Sequence, residues 1–168
     1  MAIGSSAMCG TFKREILAGI HRLTAHTRAS STISADTFKV AMFTNSASID
    51  ADTTGSTTSN EVSGTNYSAG GATLSSVTIG LADNSSAVPT AFVDFADTTF
   101  SSSTISSARG ALIYNSTLSS AGTGSTTNHA ADPAVAVINF GGDKSSSAGD
   151  FTIQYPANDA NNAIIRIS

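Results

Sequence analysis

Three histidines are the first residues of this chain to consider for catalysis or metal binding, namely His21, His26 and His129. His21 and His26 are five residues apart, which puts them about 140° apart around a helix and disfavours a shared metal site. A Ser-His-Asp triad could be drawn from His129, Asp132 and one of the 28 serines. A triad is defined by geometry, however, and so many serines make a chance match expected. We therefore interpret His129 as a solvent-facing loop residue.

Two pairs of carboxylates, Asp50/Asp52 and Asp94/Asp97, are the second group of candidates. A glycosidase needs two carboxylates, one of them in a pocket that raises its pKa. Asp94 lies between two apolar residues of a predicted strand, so side-chain alternation places it on the opposite face, in water. Asp50 and Asp52 lie in a long loop, where they are typical of a turn. The sequence also lacks the glycine-rich phosphate-binding motifs, and we predict no catalytic residue, no bound metal and no cofactor.

Tyr67 and Tyr114 are candidates for a platform on which a sugar ring could stack. The chain has no tryptophan, and most of its aromatic residues follow the period of a strand. Packing in the core or in a turn is therefore the favoured interpretation of both tyrosines.

The composition excludes several functional classes. The 168 residues include 50 serines and threonines but only 12% charged residues, and the net charge is −4. A nucleic-acid-binding protein neutralises phosphates with lysine and arginine, which are scarce here. No apolar run reaches the ~18–20 residues of a membrane span, and a hydrophobic fraction of 40% is too high for a fully disordered protein. The single cysteine, Cys9, excludes an intrachain disulfide, and the missing secretion signal predicts synthesis in a reducing cytoplasm.

The N-terminal 35 residues differ from the rest of the chain in charge. Residues 1–35 carry a balance of +3, whereas residues 36–168 carry −7. Apolar residues at helical spacing predict an amphipathic helix over residues 11–25, with Thr11 as its N-cap and a linker over residues 24–35. Such a basic N-terminal segment either docks on an acidic partner or packs against the acidic remainder of its own chain, and the sequence leaves both possibilities open. The candidate partner-binding residues are Phe12, Lys13, Arg14, Ile16, Ile20, Arg22, Leu23 and Arg28.

From residue 36 onward the apolar period changes from 3.6 to 2, which indicates β-strands. The predicted strands are 38–42, 72–81, 90–95, 107–115, 134–140, 151–155 and 163–168. Short strands without intervening helices favour a mainly β domain over residues 36–168, an antiparallel β-sandwich or jelly-roll-like barrel with one N-terminal amphipathic helix. The connections 44–71 and 116–132 are long and of low complexity, and we expect neighbouring subunits to order them.

Several segments of the predicted β domain stand in a characteristic order and spacing. Residues 38–44 read FKVAMFT, and residues 58–71 read TSNEVSGTNYSAGG. The series continues at 91–95, 108–115, 134–143, 149–156 and 163–167. Together these segments cover nearly all of residues 36–168, and the chain resembles a family of small structural proteins from tailed bacteriophages.

The resemblance implies a virion component without enzymatic activity, namely a capsid decoration (cement) protein that binds and stabilises the shell of the major capsid protein. It implies a location on the capsid surface and no catalytic residues. We expect the chain to bind the major capsid protein and copies of itself, as a homotrimer, without direct contact to nucleic acid or a membrane. A tail or baseplate module that binds host glycans is the alternative. A small hydrolase that uses His129 or the aspartate pairs is a third hypothesis.

Overall fold

The chain forms a mainly β protein, with 47% strand and 5% helix, in a computed structural model that describes residues 3–82, 89–123 and 128–168. Every strand pair is antiparallel, and one short helix lies near the N-terminus. The fold class predicted from the alternation of apolar and polar residues is therefore confirmed.

The described strands form two sheets and one separate hairpin. The strands are β1 (Ala7–Met8), β2 (His26–Arg28), β3 (Ser31–Ile33), β4 (Phe38–Phe43), β5 (Gly64–Thr65), β6 (Ala72–Thr73), β7 (Thr78–Ala82), β8 (Thr90–Asp94), β9 (Thr98–Asn115), β10 (Ala134–Ile153) and β11 (Ile165–Ile167), and the helix α1 is Gly10–Leu17. The larger sheet has the order β1-β10-β9-β4-β6, with β5 also paired to β9. The smaller sheet has the order β11-β8-β7, and β2 pairs with β3.

One hydrophobic core joins both sheets and the N-terminal segment. Val93 and Ile165 of the smaller sheet belong to the same cluster as the buried residues of β4, β9 and β10. Cys9 and Phe12 enter that cluster from the N-terminal segment and are fully buried. The two sheets are thus arranged in the manner of a sandwich. The predicted boundary at residue 35, between the basic segment 1–35 and the β domain, stays a prediction, although residues on both sides of it share this core.

Three expectations about the N-terminal segment are wrong. The helix spans Gly10–Leu17 rather than residues 11–25, because Gly19 adopts a φ of +68° directly after it. Cys9 is the N-cap residue, while the Thr11 hydroxyl is buried without a hydrogen-bond partner in the described part of the chain. The linker expected over residues 24–35 contains a β-hairpin, β2–β3.

Several strand boundaries also differ from the prediction. Segments 107–115 and 134–140 are ends of the long strands β9 and β10, which continue through serine-rich sequence. Hydroxyl groups support that continuation, since Ser103 Oγ lies 2.9 Å from Ser146 Oγ and Thr99 Oγ1 lies 2.9 Å from Thr152 Oγ1. Segment 72–81 is divided between β6 and β7.

Candidate functional site

A nearly fully buried network of polar side chains lies between α1 and the C-terminal end of β9. Glu15 and Asn115 are wholly buried, and the side chains of His21 and Asp36 have no exposed surface. His21 Nε2 lies 2.8 Å from Glu15 Oε2, and His21 Nδ1 lies 3.0 Å from Asn115 Nδ2. Asn115 Nδ2 also donates to Asp36 Oδ2 over 2.8 Å. One amide group therefore connects the histidine to the aspartate.

The neighbours of His21 define its protonation state. Nε2 faces a carboxylate and carries the hydrogen, whereas Nδ1 accepts an N–H from Asn115. Burial lowers the pKa of His21, although Glu15 and Asp36 act in the opposite direction. The ring is thus neutral at neutral pH, with both nitrogens engaged. A general base must reach the proton that it removes, so this geometry makes His21 a structural residue.

Arg22 and Asp36 close the base of the segment that lies between them. The Arg22 N–H donates to Asp36 Oδ2 over 2.9 Å, and the Asp36 N–H donates to the Arg22 carbonyl over 2.7 Å. The guanidinium group adds contacts of 3.0 Å and 2.9 Å to Asp36 Oδ1. This pair, which we call the clasp, fixes both ends of residues 23–35, and we call residues 23–35 the arm.

The arm presents the hairpin β2–β3 to solvent. Every residue from 25 to 32 is exposed, and neither strand pairs with another strand of the described chain. Ala29 in the turn has a φ of 55°, a left-handed conformation that costs an alanine roughly 1–2 kcal/mol. A lone two-stranded hairpin is marginally stable in water, so a partner surface that covered this one would stabilise it. Arg28 ends β2 and forms no ion pair within the described residues.

The apolar residues predicted to bind a partner lie against the chain's own core. Phe12 is fully buried there, which corrects the prediction that its side chain contacts a partner. Ile16 and Leu23 are half-buried against the same core, and Ile20 is half-buried as well. The apolar stripe of the N-terminal segment therefore has its partner within the chain. Arg22 belongs to the clasp and is not a free charge.

The remaining predicted residues, Lys13, Arg14 and Arg28, are exposed. Arg14 is bound by its own chain, since an Nη donates to the Asn128 carbonyl over 2.6 Å. Leu17 stands next to these charges at the end of α1 and is 90% exposed. Leu17 was not among the predicted site residues, because it lies next to Ile16 in the apolar stripe, where a buried helix face is expected.

Tyr67 and Tyr114 stabilise the connection between β4 and β6 and do not form a sugar-binding platform. The Tyr67 hydroxyl accepts the Met42 N–H over 2.9 Å and donates to Glu61 over 2.7 Å. Glu61 also accepts the Gly70 N–H over 2.7 Å, and the Tyr114 hydroxyl donates to the Gly70 carbonyl over 2.7 Å. Both tyrosines are buried, so a sugar cannot stack on them. The chain's own contacts thus hold residues 61–70, and ordering of residues 44–71 by neighbouring subunits stays a prediction. The same prediction for residues 116–132 falls partly on residues 124–127, which lie outside the described residues.

The aspartate pairs do not provide a catalytic dyad among the described residues. Asp94 is only 6% exposed, so its predicted position in water is wrong. Val93, the preceding residue on the opposite face of β8, is equally buried, so both faces of the strand are covered here. Burial raises the pKa of Asp94, yet its Oδ1 is closed to any substrate. Asp97 accepts the Tyr155 N–H over 2.9 Å. Asp50 and Asp52 are exposed in a turn in which Asp50 accepts the Asp52 N–H, as predicted.

His129 and a cleft beside β1 are the remaining candidates for a catalytic site. His129 is half-buried rather than solvent-facing, and its Nδ1 lies 2.8 Å from the Ala130 carbonyl oxygen. An open cleft of about 640 Å³ lies beside β1, and Arg166 is the one ionisable side chain among its described lining residues. Within residues 3–82, 89–123 and 128–168, no group of three or more histidine, cysteine or acidic side chains is placed to hold a metal. No helix of that part is long and apolar enough to cross a membrane.

Comparison with family models, with curated proteins and with solved structures finds no match to this chain.

Proposed function

We propose that this chain is a structural protein of a tailed-phage virion, a capsid decoration protein that binds and stabilises the shell of the major capsid protein. The observation that carries the proposal is the arm, an exposed hairpin held at its base by a buried network. Enzymes place their polar groups in a cleft, whereas this chain uses its buried polar groups to fix a projecting segment. The proposed activity is therefore attachment, without catalysis.

Charge supports the arm as the docking element. Between residues 16 and 35 the chain has no acidic residue, and Arg28 is unpaired among the described residues, while residues 36–168 carry −7. A hairpin with free edges can add to a strand of a partner, and its cation directs it to an acidic surface. The capsid surface is the location that we propose, with a homotrimer as the assembled form.

Fractionation of virions provides the test of location. Heads and tails are separated, and the amount of this chain in each fraction is measured by mass spectrometry. Recovery with heads, in an amount comparable to the major capsid protein, is the expected result. Recovery with tails would instead support a tail or baseplate module, and absence from both fractions would refute a virion role.

A binding assay tests the arm. Purified protein is mixed with capsid shells that lack it, and the bound fraction is measured by sedimentation. Arg28→Glu is expected to weaken binding about tenfold or more, because it reverses the charge of the docking element. Lys144→Glu makes the same change of charge on an exposed residue of the body and should bind as the wild type does. Equal binding by all three proteins would contradict the role of the arm.

Deletion of the whole segment 1–35 is not a suitable test. Such a deletion would remove Cys9 and Phe12 from the core and β1 from the edge of the larger sheet. We expect it to destabilise the protein rather than to leave a folded domain with weaker binding. Replacement of residues 25–34 by a short glycine-serine linker removes the hairpin and leaves the clasp in place.

A further inference from the structure

We propose that the network around His21 is an acid-sensitive lock on the arm, which holds the clasp closed at neutral pH and releases it when His21 takes up a second proton. The lock comprises His21, Asn115 and the two clasp residues, Asp36 and Arg22. The consequence of release for shell binding rests on the proposed function, whereas the lock itself does not.

The orientation of the Asn115 amide makes the network selective for a neutral ring. Asn115 Nδ2 has two hydrogens, one directed to His21 Nδ1 and the other to Asp36 Oδ2. Asn115 Oδ1 accepts the Thr117 N–H over 3.0 Å. A proton on His21 Nδ1 would face an N–H of the amide, so two donors would oppose each other.

Rotation of the amide cannot relieve that conflict. If Asn115 turned by 180°, its oxygen would accept from the protonated His21 but would also face the Asp36 carboxylate, an acceptor. Its nitrogen would then face the Thr117 N–H, a donor. One repulsive contact would be exchanged for two, so the doubly protonated ring is accommodated only if the network opens.

Charged groups on the surrounding elements act on His21 in both directions. Glu15 on α1 and Asp36 before β4 attract a second proton, whereas His129 on the connection after β9 disfavours it. Arg14 lies 3.5 Å from Glu15 Oε1, and Arg22 is paired with Asp36, so each acid is partly neutralised. Burial has the largest effect on His21, and the pKa of the folded ring is lowered as a result.

The direction of the pH effect follows from this lowered pKa. An exposed histidine has a pKa of about 6.5, so an open network binds a proton from about that pH downward, while the closed network refuses it. Opening therefore becomes more favourable as the pH falls below about 6.5, by up to tenfold for each pH unit until the pKa of the folded ring is reached.

Opening is confined to the base of the arm. β1 remains paired with β10, because that pairing does not involve the network. The Phe12 ring does contact the His21 ring, with 4.8 Å between the centroids, and we expect it to stay buried through its other neighbours in the core. The amides that report opening are those of Arg22 and Asp36, whose N–H groups donate across the clasp. Val40, in the centre of β4, reports the stability of the larger sheet.

Hydrogen exchange of the full chain, followed by NMR between about pH 7 and pH 5, tests the lock. Each measured rate is divided by the intrinsic rate at the same pH. The protection of the Arg22 and Asp36 amides should fall by about tenfold or more, while the protection of the Val40 amide changes less than threefold. An equal loss at Val40 would indicate global unfolding and would overturn the proposal, as would unchanged protection at the clasp.

His21→Gln is the matched control, because a glutamine amide has a nitrogen that donates and an oxygen that accepts, as the two ring nitrogens of neutral histidine do, but does not titrate. Its clasp amides should keep their protection at about pH 5, and the same loss as in the wild type would overturn the proposal. If this variant does not fold, ¹⁵N NMR spectra of the wild-type protein provide the test, because they report the protonation state of the His21 ring at each pH. The lock requires the loss of clasp protection to follow ring protonation, and a ring that gains a proton while the clasp stays protected refutes it. A protein with a working lock that fails to bind shells refutes only the proposed function.

Discussion

Replacement of Tyr67 by phenylalanine removes a single oxygen atom from the brace that joins β4 to residues 61–70. The Tyr67 hydroxyl accepts the Met42 N–H and donates to Glu61, so its loss leaves both groups without that partner. Burial raises the pKa of Tyr67, and the hydroxyl therefore remains a donor across the usual pH range.

The expected cost is the sum of two unequal effects. Met42 is fully buried, and an unsatisfied buried N–H costs about 1–3 kcal/mol. Glu61 is half-exposed and still accepts the Gly70 N–H, so the loss of the hydrogen bond from Tyr67 to Glu61 adds only about 1 kcal/mol. We expect Tyr67→Phe to reduce the free energy of unfolding by about 2–4 kcal/mol, which for a chain of this size lowers Tm by roughly 5–15 °C.

Urea denaturation, followed by circular dichroism, measures this difference, and Tyr155→Phe is the matched control. The Tyr155 hydroxyl lies 3.5 Å from Thr98 Oγ1, the limit of a hydrogen bond, so its loss should cost less than about 0.5 kcal/mol. If Tyr67→Phe were as stable as the wild type, or if the two variants lost equal stability, the brace would not hold residues 61–70 as described.

Two further predictions concern backbone approach and thiol burial. Gly71→Ala should cost more than about 3 kcal/mol in urea denaturation, because Gly71 has a φ of +72° and an added Cβ would overlap the Val40 carbonyl oxygen. Gly141 has a similar φ of +73°, but a Cβ added there would meet no atom within 4 Å, so Gly141→Ala should cost only about 1–2 kcal/mol. Equal losses of stability in the two variants would contradict the role of close backbone approach at Gly71. Cys9 should react with iodoacetamide at about pH 8 at least about a thousandfold more slowly in the native protein than in concentrated urea, because burial raises its pKa to about 12; rapid native alkylation would show that the N-terminal segment opens.

The alternation of apolar residues predicts the strands that lie in the core but not those held by pairing alone. Phe38, Val40 and Met42 indicated β4 correctly. Ala41 and Phe43, on the opposite face, are buried too, so both faces of β4 are covered and the strict alternation does not hold. The serine-rich half of β9 has no such signal, since its partners are hydroxyl groups and backbone atoms of β10.

The bulges between β9 and β10 could not be predicted either. The register of the two strands shifts between the pairs Asn139–Gly110 and Lys144–Ala108, where four residues of β10 oppose one residue of β9. The register at a bulge depends on how the two strands pair along their length, and a single sequence does not determine that pairing.

The buried network was missed because its members are distant in sequence. His21 and Asn115 are 94 residues apart, and Asn115 ends a predicted strand with no sign that its amide is buried. In the sequence His21 was considered only together with His26, as a metal site that their spacing disfavours. The one available signal was Asp36, an isolated acid at the junction between the basic segment and the first strand of the β domain.

The pairing of β1 with β10 has a consequence for folding during synthesis. Met8 pairs with Ala136, which the ribosome adds 128 positions later. At ~5–20 residues per second this delay lasts roughly 6–26 s, and until then Cys9 and Phe12 have no completed core to enter. The N-terminal segment must therefore dock after the rest of the sheet has emerged. Chains truncated before residue 115 lack the amide that fixes Asp36, so we expect only chains that extend beyond residue 115 to display a positioned arm.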